Sequence, residues 1–260
     1  MLHKLLTRAI LVVFLIGMLI PVLGLLIFSI DNQGLFTLQN YAALFSDPSF
    51  QQALVNSIGI SLISVALAIA LFTPPLWYGY LFNTRVMRLM EGLSFVTFVL
   101  PAVVLGLAYV QFFSNPPFAL AGTPTLLPFA FALFGMPYYI QAVLNRLRHT
   151  DVRIYHEAVQ SLGGSAWTSF WRIQFQAMAP GILIGSILVF SIGMGEFTIT
   201  QLTTGGSFMT LPIYLQVGFQ NNPLTGAAMA VIGMGIAIGG VFVTLFALSK
   251  RNRGVRDAAH

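Results

Sequence analysis

Long apolar runs separated by short polar intervals dominate the chain. A helix crossing the ~30 Å hydrocarbon layer of a bilayer needs about 20 apolar residues. Ala9 to Ile30 is one charge-free run of that kind, and Ala53 to Phe82 holds a second, its end loosened by Pro74-Pro75. Gly92 to Asn145 is also charge-free but too long for one crossing, and "SNPPFALAGTP" (114–124) breaks it with turn formers. Gln176 to Thr200 and Leu224 to Ser249 complete the set. The pattern predicts six membrane-spanning helices, about 9–30, 53–82, 92–113, 125–145, 176–200 and 224–249, in one domain over 1–260. The first run is too long for a signal-peptide core and no small-x-small cleavage site follows it, so it reads as an anchor.

Composition agrees. Of 260 residues, 57% are hydrophobic and 7% charged, whereas soluble domains run near a quarter charged. The net charge of +5 does not suggest a nucleic-acid partner, because the cations sit as isolated groups between apolar runs rather than on one exposed face. There is no cysteine, so disulfides, thiolate metal sites and a cysteine nucleophile are excluded. The four histidines (His3, His149, His156, His260) lie outside the apolar runs.

Cytoplasmic loops retain Lys and Arg. With six spans and an inner N-terminus, the inner segments hold Lys4 and Arg8, then Arg85 and Arg88, then Arg146, Arg148, Arg153 and Arg172, then Lys250, Arg251, Arg253 and Arg256. That accounts for all 12 cations, while the outer loops keep only Asp31 and Asp47. Both termini are therefore expected inside. In the sixth span Gly226, Ala230, Gly233, Ala237, Gly240 and Thr244 share one face, and Gly17 and Gly24 repeat similarly in the first. Such small-residue faces let helices approach closely in lipid and need no ligand.

The interval 146–175 is longer than a turn requires. "DVRIYHEAVQSLGG" reads as a short helix that Asp151 can cap and that Gly163 or Gly164 can end in a left-handed conformation. Tyr155, Ala158 and Leu162 form a small apolar stripe along it. "SAWTSFWRI" reads as a second helix start, with Ser165 as cap and Trp167, Phe170 and Trp171 at the membrane boundary. Two short helices joined by Gly-Gly make a rigid knuckle shaped for docking into a groove on another protein.

Glu157-Ala158, Gly163 six residues after the Glu, and Ile173 sixteen after it resemble the EAA signature of binding-protein-dependent ABC importer permeases (type I). That pattern reads E-A-A, three residues, G, nine residues, I-x-L-P. Here Val159 replaces the second Ala, Phe175 the Leu, and Gln176 the Pro, with Pro180 four residues further on. The resemblance implies an all-α polytopic membrane protein with the MetI-like fold, N-in and C-in, in the bacterial inner membrane. It implies that Glu157, Ala158, Leu162, Gly163 and Ile173 couple to a cytoplasmic ATPase. Partners implied are ATP-binding subunits, two in number, a second permease, identical or related, and an extracytoplasmic solute-binding protein. ATP and Mg would be used by the ATPase, with no cofactor in this chain. The phosphate-cradling G-x-x-x-x-G-K-[ST] is absent, and Lys4 and Lys250 are the only lysines.

Residues 191–216 and 36–61 resemble permeases for spermidine/putrescine, 2-aminoethylphosphonate, iron(III) and thiamine, with the polyamine type favoured. Glu196 is the sharper clue, since a carboxylate inside a span faces the interior or water by default. Nineteen residues of helix from Ala177 rise about 28 Å, placing Glu196 near the outer end, on an arc with Gly181, Gly185, Ile192 and Thr200. It either attracts an amine-bearing solute or pairs with a partner subunit to shape an outer gate with Thr200. An ATP-independent secondary carrier is the alternative, but no clear internal repeat is present. An intramembrane enzyme would need a Ser-Lys, paired-Asp or His-based metal site, and apart from Glu196 the spans are expected to hold no ionisable acid or base of that kind.

Overall fold

The computed structural model describes residues 2–32 and 34–257; side chains of 1–3, 5, 32, 33, 237, 241 and 243–260 are outside it. His3, Ala237, Thr244, His260 and the basic group at 250–256 therefore lie outside the described side chains. Twelve α-helices are described: α1 (Leu2–Ile30), α2 (Gln39–Ser46), α3 (Pro48–Leu81), α4 (Thr84–Val99), α5 (Ala102–Phe113), α6 (Leu127–Arg148), α7 (Val152–Ser161), α8 (Ala166–Ser169), α9 (Phe175–Gly195), α10 (Thr198–Thr204), α11 (Leu211–Asn221) and α12 (Pro223–Asp257). A two-residue hairpin, Asp31–Asn32 against Leu35–Phe36, follows α1. Among the described residues five helices are long and apolar enough to cross a membrane, or six if α4 and α5 form one broken span.

That broken span corrects the expectation of a single helix over 92–113. α4 starts earlier, at Thr84, where Asn83 caps it by accepting from the Arg85 and Val86 amides. α4 and α5 then meet at 108°. Pro101 causes the elbow: it has no N–H to donate, and it pushes Leu100 into an extended conformation (ψ 127°). Pro74 and Pro75, by contrast, do not loosen α3, which runs unbroken to Leu81. Nearby Thr73 shares a buried hydrogen bond of 2.6 Å with the Tyr139 hydroxyl, tying α3 to α6.

The core sits where α3, α6 and α9 cross. α9 approaches closely because its contact face is glycine. A Cβ on Gly181 would lie 2.8 Å from the Ala142 carbonyl oxygen, one on Gly185 3.1 Å from Tyr139 Cα, and one on Gly193 3.1 Å from Ser61 Cα. Leu76, Tyr139, Val143, Leu144, Leu147, Met178 and Val189 fill the space between them with no exposed surface. In α12, Gly226 packs on Phe219 of α11. Within this chain the glycines of α1 pack against nothing: a Cβ on Gly17 or Gly24 would meet no described atom within 4 Å.

At the end away from the basic loops, Asp47 caps α3 by accepting from the Ser49 amide (2.8 Å), and its other oxygen accepts from the Tyr214 hydroxyl of α11. The Tyr214 hydrogen bond, and next the Ser49 amide, hold the Asp47 carboxyl below its ordinary value of 3.8. Burial first, then the Asp47 carboxylate, push the Tyr214 hydroxyl up to about 12, so it remains a donor.

Two outcomes follow from this packing. Gly181→Val should lower the thermal midpoint in detergent, through a loss of stability of the about 1–3 kcal/mol typical of overpacking. Gly59→Ala, whose Cβ would meet nothing within 4 Å, should not lower it. For Asp47 the depressed value means stabilisation that is present above the ordinary carboxylate range and is lost as pH falls through the folded value. Tyr214→Phe removes the largest cause, so the midpoint at neutral pH should drop and its further fall on acidification should become shallower.

Candidate functional site

Between α6 and α9 the chain folds into a compact knuckle at the basic end. α7 ends in a Schellman turn: the Gly163 amide donates to Gln160 O and the Gly164 amide to Val159 O, each at 2.9 Å. Gly163 takes φ +79°, which an L side chain adopts only with strain. Gly164 lies under Val159, whose Cγ1 would be 2.5 Å from any added Cβ. Val159, a departure from the expected Ala, thus occupies the space a side chain at 164 would need. Ser165 caps α8 as expected, accepting from the Thr168 amide at 3.1 Å. Asp151 does not cap α7. Its backbone (φ −73°, ψ 59°) is not extended, and its side chain makes no capping bond.

α7 has two unlike faces. Val152 (0% exposed) and His156 (6%), one turn apart, point into the bundle. The His156 ring packs edge-on against Phe82 at 5.0 Å, and neither ring nitrogen finds a hydrogen-bond partner among the described residues. On the other face Tyr155, Glu157, Ala158 and Leu162 are exposed, Leu162 at 89%. Glu157 makes no ion pair among the described residues; its backbone carbonyl accepts from Ser161 Oγ at 2.9 Å. Ile173 is also partly exposed. The structure therefore brings Glu157, Ala158, Leu162 and Gly163 onto one exposed end of the knuckle.

The underside is anchored by aromatics. Phe170 is fully buried, its ring 4.7 Å from that of Trp77 on α3. Trp167 and Trp171 are exposed. Residues 170–174 form one widened turn in which the Phe175 amide donates to Phe170 O, a five-residue step. That turn directs Gln174 inward, where it is fully buried. Its Oε1 accepts from Trp77 Nε1, and its Nε2 donates to Val152 O at 3.2 Å. Sequence reasoning missed Gln174; a lone amide among "SFWRIQFQ" was its only signal.

Beside the knuckle, α4, α6 and α9 border a cleft of about 710 Å³. Apolar walls (Phe95, Phe98, Ile184, Leu188) carry a few polar groups: Glu91, Ser94, Gln141 and Asn145. Glu91 lies inside α4, so the expectation that Glu196 is the sole acid in the spans is corrected. It escaped notice because it adjoins the charge-free run starting at Gly92. Its carboxylate pairs with Arg148 at 3.0 Å, both groups being partly exposed. Arg146 donates to the Ala177 carbonyl at 2.9 Å, joining α6 to the start of α9.

Glu196 is not inside a continuous helix either. α9 ends at Gly195, Glu196 is extended (ψ 108°), and a new helix, α10, starts at Thr198. The cause is local: Glu196 Oε1 accepts from the Ile199 amide at 2.9 Å, competing with the helical ladder. The arc running from Gly181 to Thr200 is therefore broken. Thr200 is fully buried and donates its hydroxyl to Glu196 O at 2.9 Å. α10 is fixed in turn by Gly122 N donating to Thr203 O at 2.8 Å.

A profile of the family described as "Binding-protein-dependent transport system inner membrane component" matches residues 75–252. The chain is 29% identical over 209 residues to the spermidine/putrescine transport system permease protein PotC of Escherichia coli (strain K12), covering 79% of this chain and 77% of PotC. It is 26% identical over 203 residues to the molybdenum transport system permease protein ModB of Mycobacterium tuberculosis, with 73% and 76% covered. To the thiamine transport system permease protein ThiP of Haemophilus influenzae it is 23% identical over 216 residues, 82% of this chain but 39% of ThiP. Among solved structures, a bacterial ABC transporter involved in the import of the acidic polysaccharide alginate superposes with TM-score 0.64 at 14% identity over 96% of both chains. The MetNI methionine ABC transporter superposes with TM-score 0.56 at 15% identity, over 80% of this chain and 99% of its own. The helical bundle, its fold neighbours and a profile match over more than half of its length agree: the chain belongs to the binding-protein-dependent inner membrane component family, as the non-catalytic, multi-pass permease subunit of a bacterial ABC importer.

Proposed function

We propose that this subunit forms half of a translocation path and receives force from a separate cytoplasmic ATPase through the knuckle. The observation that carries this reading is the exposed end of the knuckle. Leu162, Tyr155 and Ala158 present apolar surface beside the Glu157 carboxylate, which makes no ion pair among the described residues, on a segment whose other face is locked into the core. Exposed apolar surface on a rigid projection fits a partner groove. Ala158 permits close approach, Gly163 sets the turn, and Ile173 borders the contact. The cation distribution puts this end in the cytoplasm. ATP and Mg²⁺ are used by the partner, two ATPase copies serve two permease subunits, and a solute-binding protein docks at the opposite end.

The cleft between α4, α6 and α9 is the part of the path contributed by this chain, closed by a second permease, identical or related. Polar groups in a spanning helix face a path or a protein neighbour rather than lipid, which is how Glu91, Ser94, Gln141 and Asn145 are disposed. The Glu91–Arg148 pair stands at its basic end as an inner gate. Glu196 and Thr200 hold the opposite gate, because the Glu196 carboxylate is already engaged with the Ile199 amide. The solute favoured is an amine of the polyamine class, on the likeness to PotC.

In the assembled complex, Gly163→Pro or Glu157→Lys should leave the chain inserted while lowering solute-stimulated ATP hydrolysis about tenfold or more, as loss of a central contact does. Normal stimulation in both would refute the docking role. Uptake of labelled spermidine, thiamine and molybdate into proteoliposomes tests the solute, and spermidine is expected. Glu196→Gln should retain uptake, since an amide oxygen still accepts from Ile199, whereas Glu196→Leu should lose it for every solute. Loss of spermidine uptake alone in Glu196→Gln would instead make Glu196 a cation contact.

A further inference from the structure

We infer that Gln174 is the positioning residue that fixes the knuckle to helix α3, so that displacement of α7 is passed to the bundle as one rigid movement. The inference rests on the knuckle being the ATPase contact. Its basis is the three-way junction made by one buried side chain. Gln174 Oε1 accepts from Trp77 Nε1 on α3, and Gln174 Nε2 donates to Val152 O in the first turn of α7. Chain continuity and apolar packing join the knuckle to α6 and α9, with Val152 and Phe170 in one cluster with Leu147 and Met178; Gln174 adds a direct polar link to α3.

The other contacts between knuckle and α3 are of a different kind. Phe170 against Trp77 and His156 against the adjoining Phe82 are ring packings at 4.7 and 5.0 Å. Ring contacts of this sort tolerate sliding, because burial is non-directional. Hydrogen bonds weaken steeply when misaligned, so two of them at one amide set the register. The amide is fully buried, where a broken bond has no water to replace it. Its placement depends on the widened turn at 170–174, a feature that recurs at functional positions in helices.

The absence of cysteine makes the link measurable. Spin labels at Arg153→Cys on α7 and Leu71→Cys on the exposed side of α3 report the knuckle-to-α3 distance in the complex purified through a tag on this chain, with and without ATP and Mg²⁺. With Gln174 present the distance should stay single and narrow in both states. In Gln174→Leu the complex should still contain the ATPase, but ATP should broaden the distribution at least about twofold, because the two bodies no longer move together. A Trp77→Phe, Gln174→Leu double variant removes both partners of one bond, leaving no indole N–H unpaired, at the cost of a smaller ring in the core. It should remain broadened, which a purely structural role would not produce. A distribution as narrow as wild type in Gln174→Leu, with ATP bound, overturns the inference, as does recovery of narrowness in the double variant. Failure of the docking reading looks different: no ATPase is then recovered with the wild-type chain, whereas failure of the link leaves the ATPase bound and the Gln174→Leu distribution narrow with ATP.

Discussion

Close approach of α9 to α3 and α6 is the constraint on which the rest is built. In lipid there is no hydrophobic force between helices, so association relies on van der Waals contact and internal hydrogen bonds. Gly181, Gly185 and Gly193 remove side chains where Ala142, Tyr139 and Ser61 come nearest. The seam holds α9 at both ends of its function. The widened segment with Gln174 leads directly into its first turn, and its last residue precedes the break at Glu196. A helix fixed this firmly along its length relates what happens at the knuckle to what happens at the far end, ~30 Å away by helical rise.

Polar groups inside the bundle divide in two. Thr73 is satisfied by Tyr139, Thr203 and Thr204 by carbonyls one turn back, and Gln174 by Trp77 and Val152, whereas Ser61, His156, Ser169, Ser186 and Thr210 have side-chain polar atoms without a hydrogen-bond partner among the described residues. Other polar groups line open space, among them those of the α4–α6–α9 cleft and of the outer face of α7. Side chains already bonded within the bundle build the subunit, and those lining open space are the ones a solute or a neighbour can reach. Thr200, a candidate from sequence, falls with the first group, because its hydroxyl is already committed to Glu196.

Much of this was legible from residue order. Apolar run length and the 12 cations predicted a helical membrane protein, and the E-A-x₄-G spacing located the knuckle and its left-handed glycine. Three features were not legible, each for a physical reason. The elbow at Pro101 hides inside an uninterrupted apolar run, and Pro74-Pro75 shows that proline alone does not decide between a kink and continuity. The end of α9 depends on whether the Glu196 carboxylate bonds a backbone amide, which hydropathy does not encode. Gln174 goes inside against its polarity, because a turn of five residues rotates the face expected from a period of 3.6.

The elbow itself limits what can surround the subunit. Carbonyls at the last turn of α4 lose their helical donors there, and Val96, Val99 and Pro101 are exposed in the single chain. Acyl tails offer no hydrogen bond to such groups, so bare peptide at membrane depth must meet protein or water. The bend between α4 and α5 thus marks a stretch of the perimeter from which hydrocarbon is shut out.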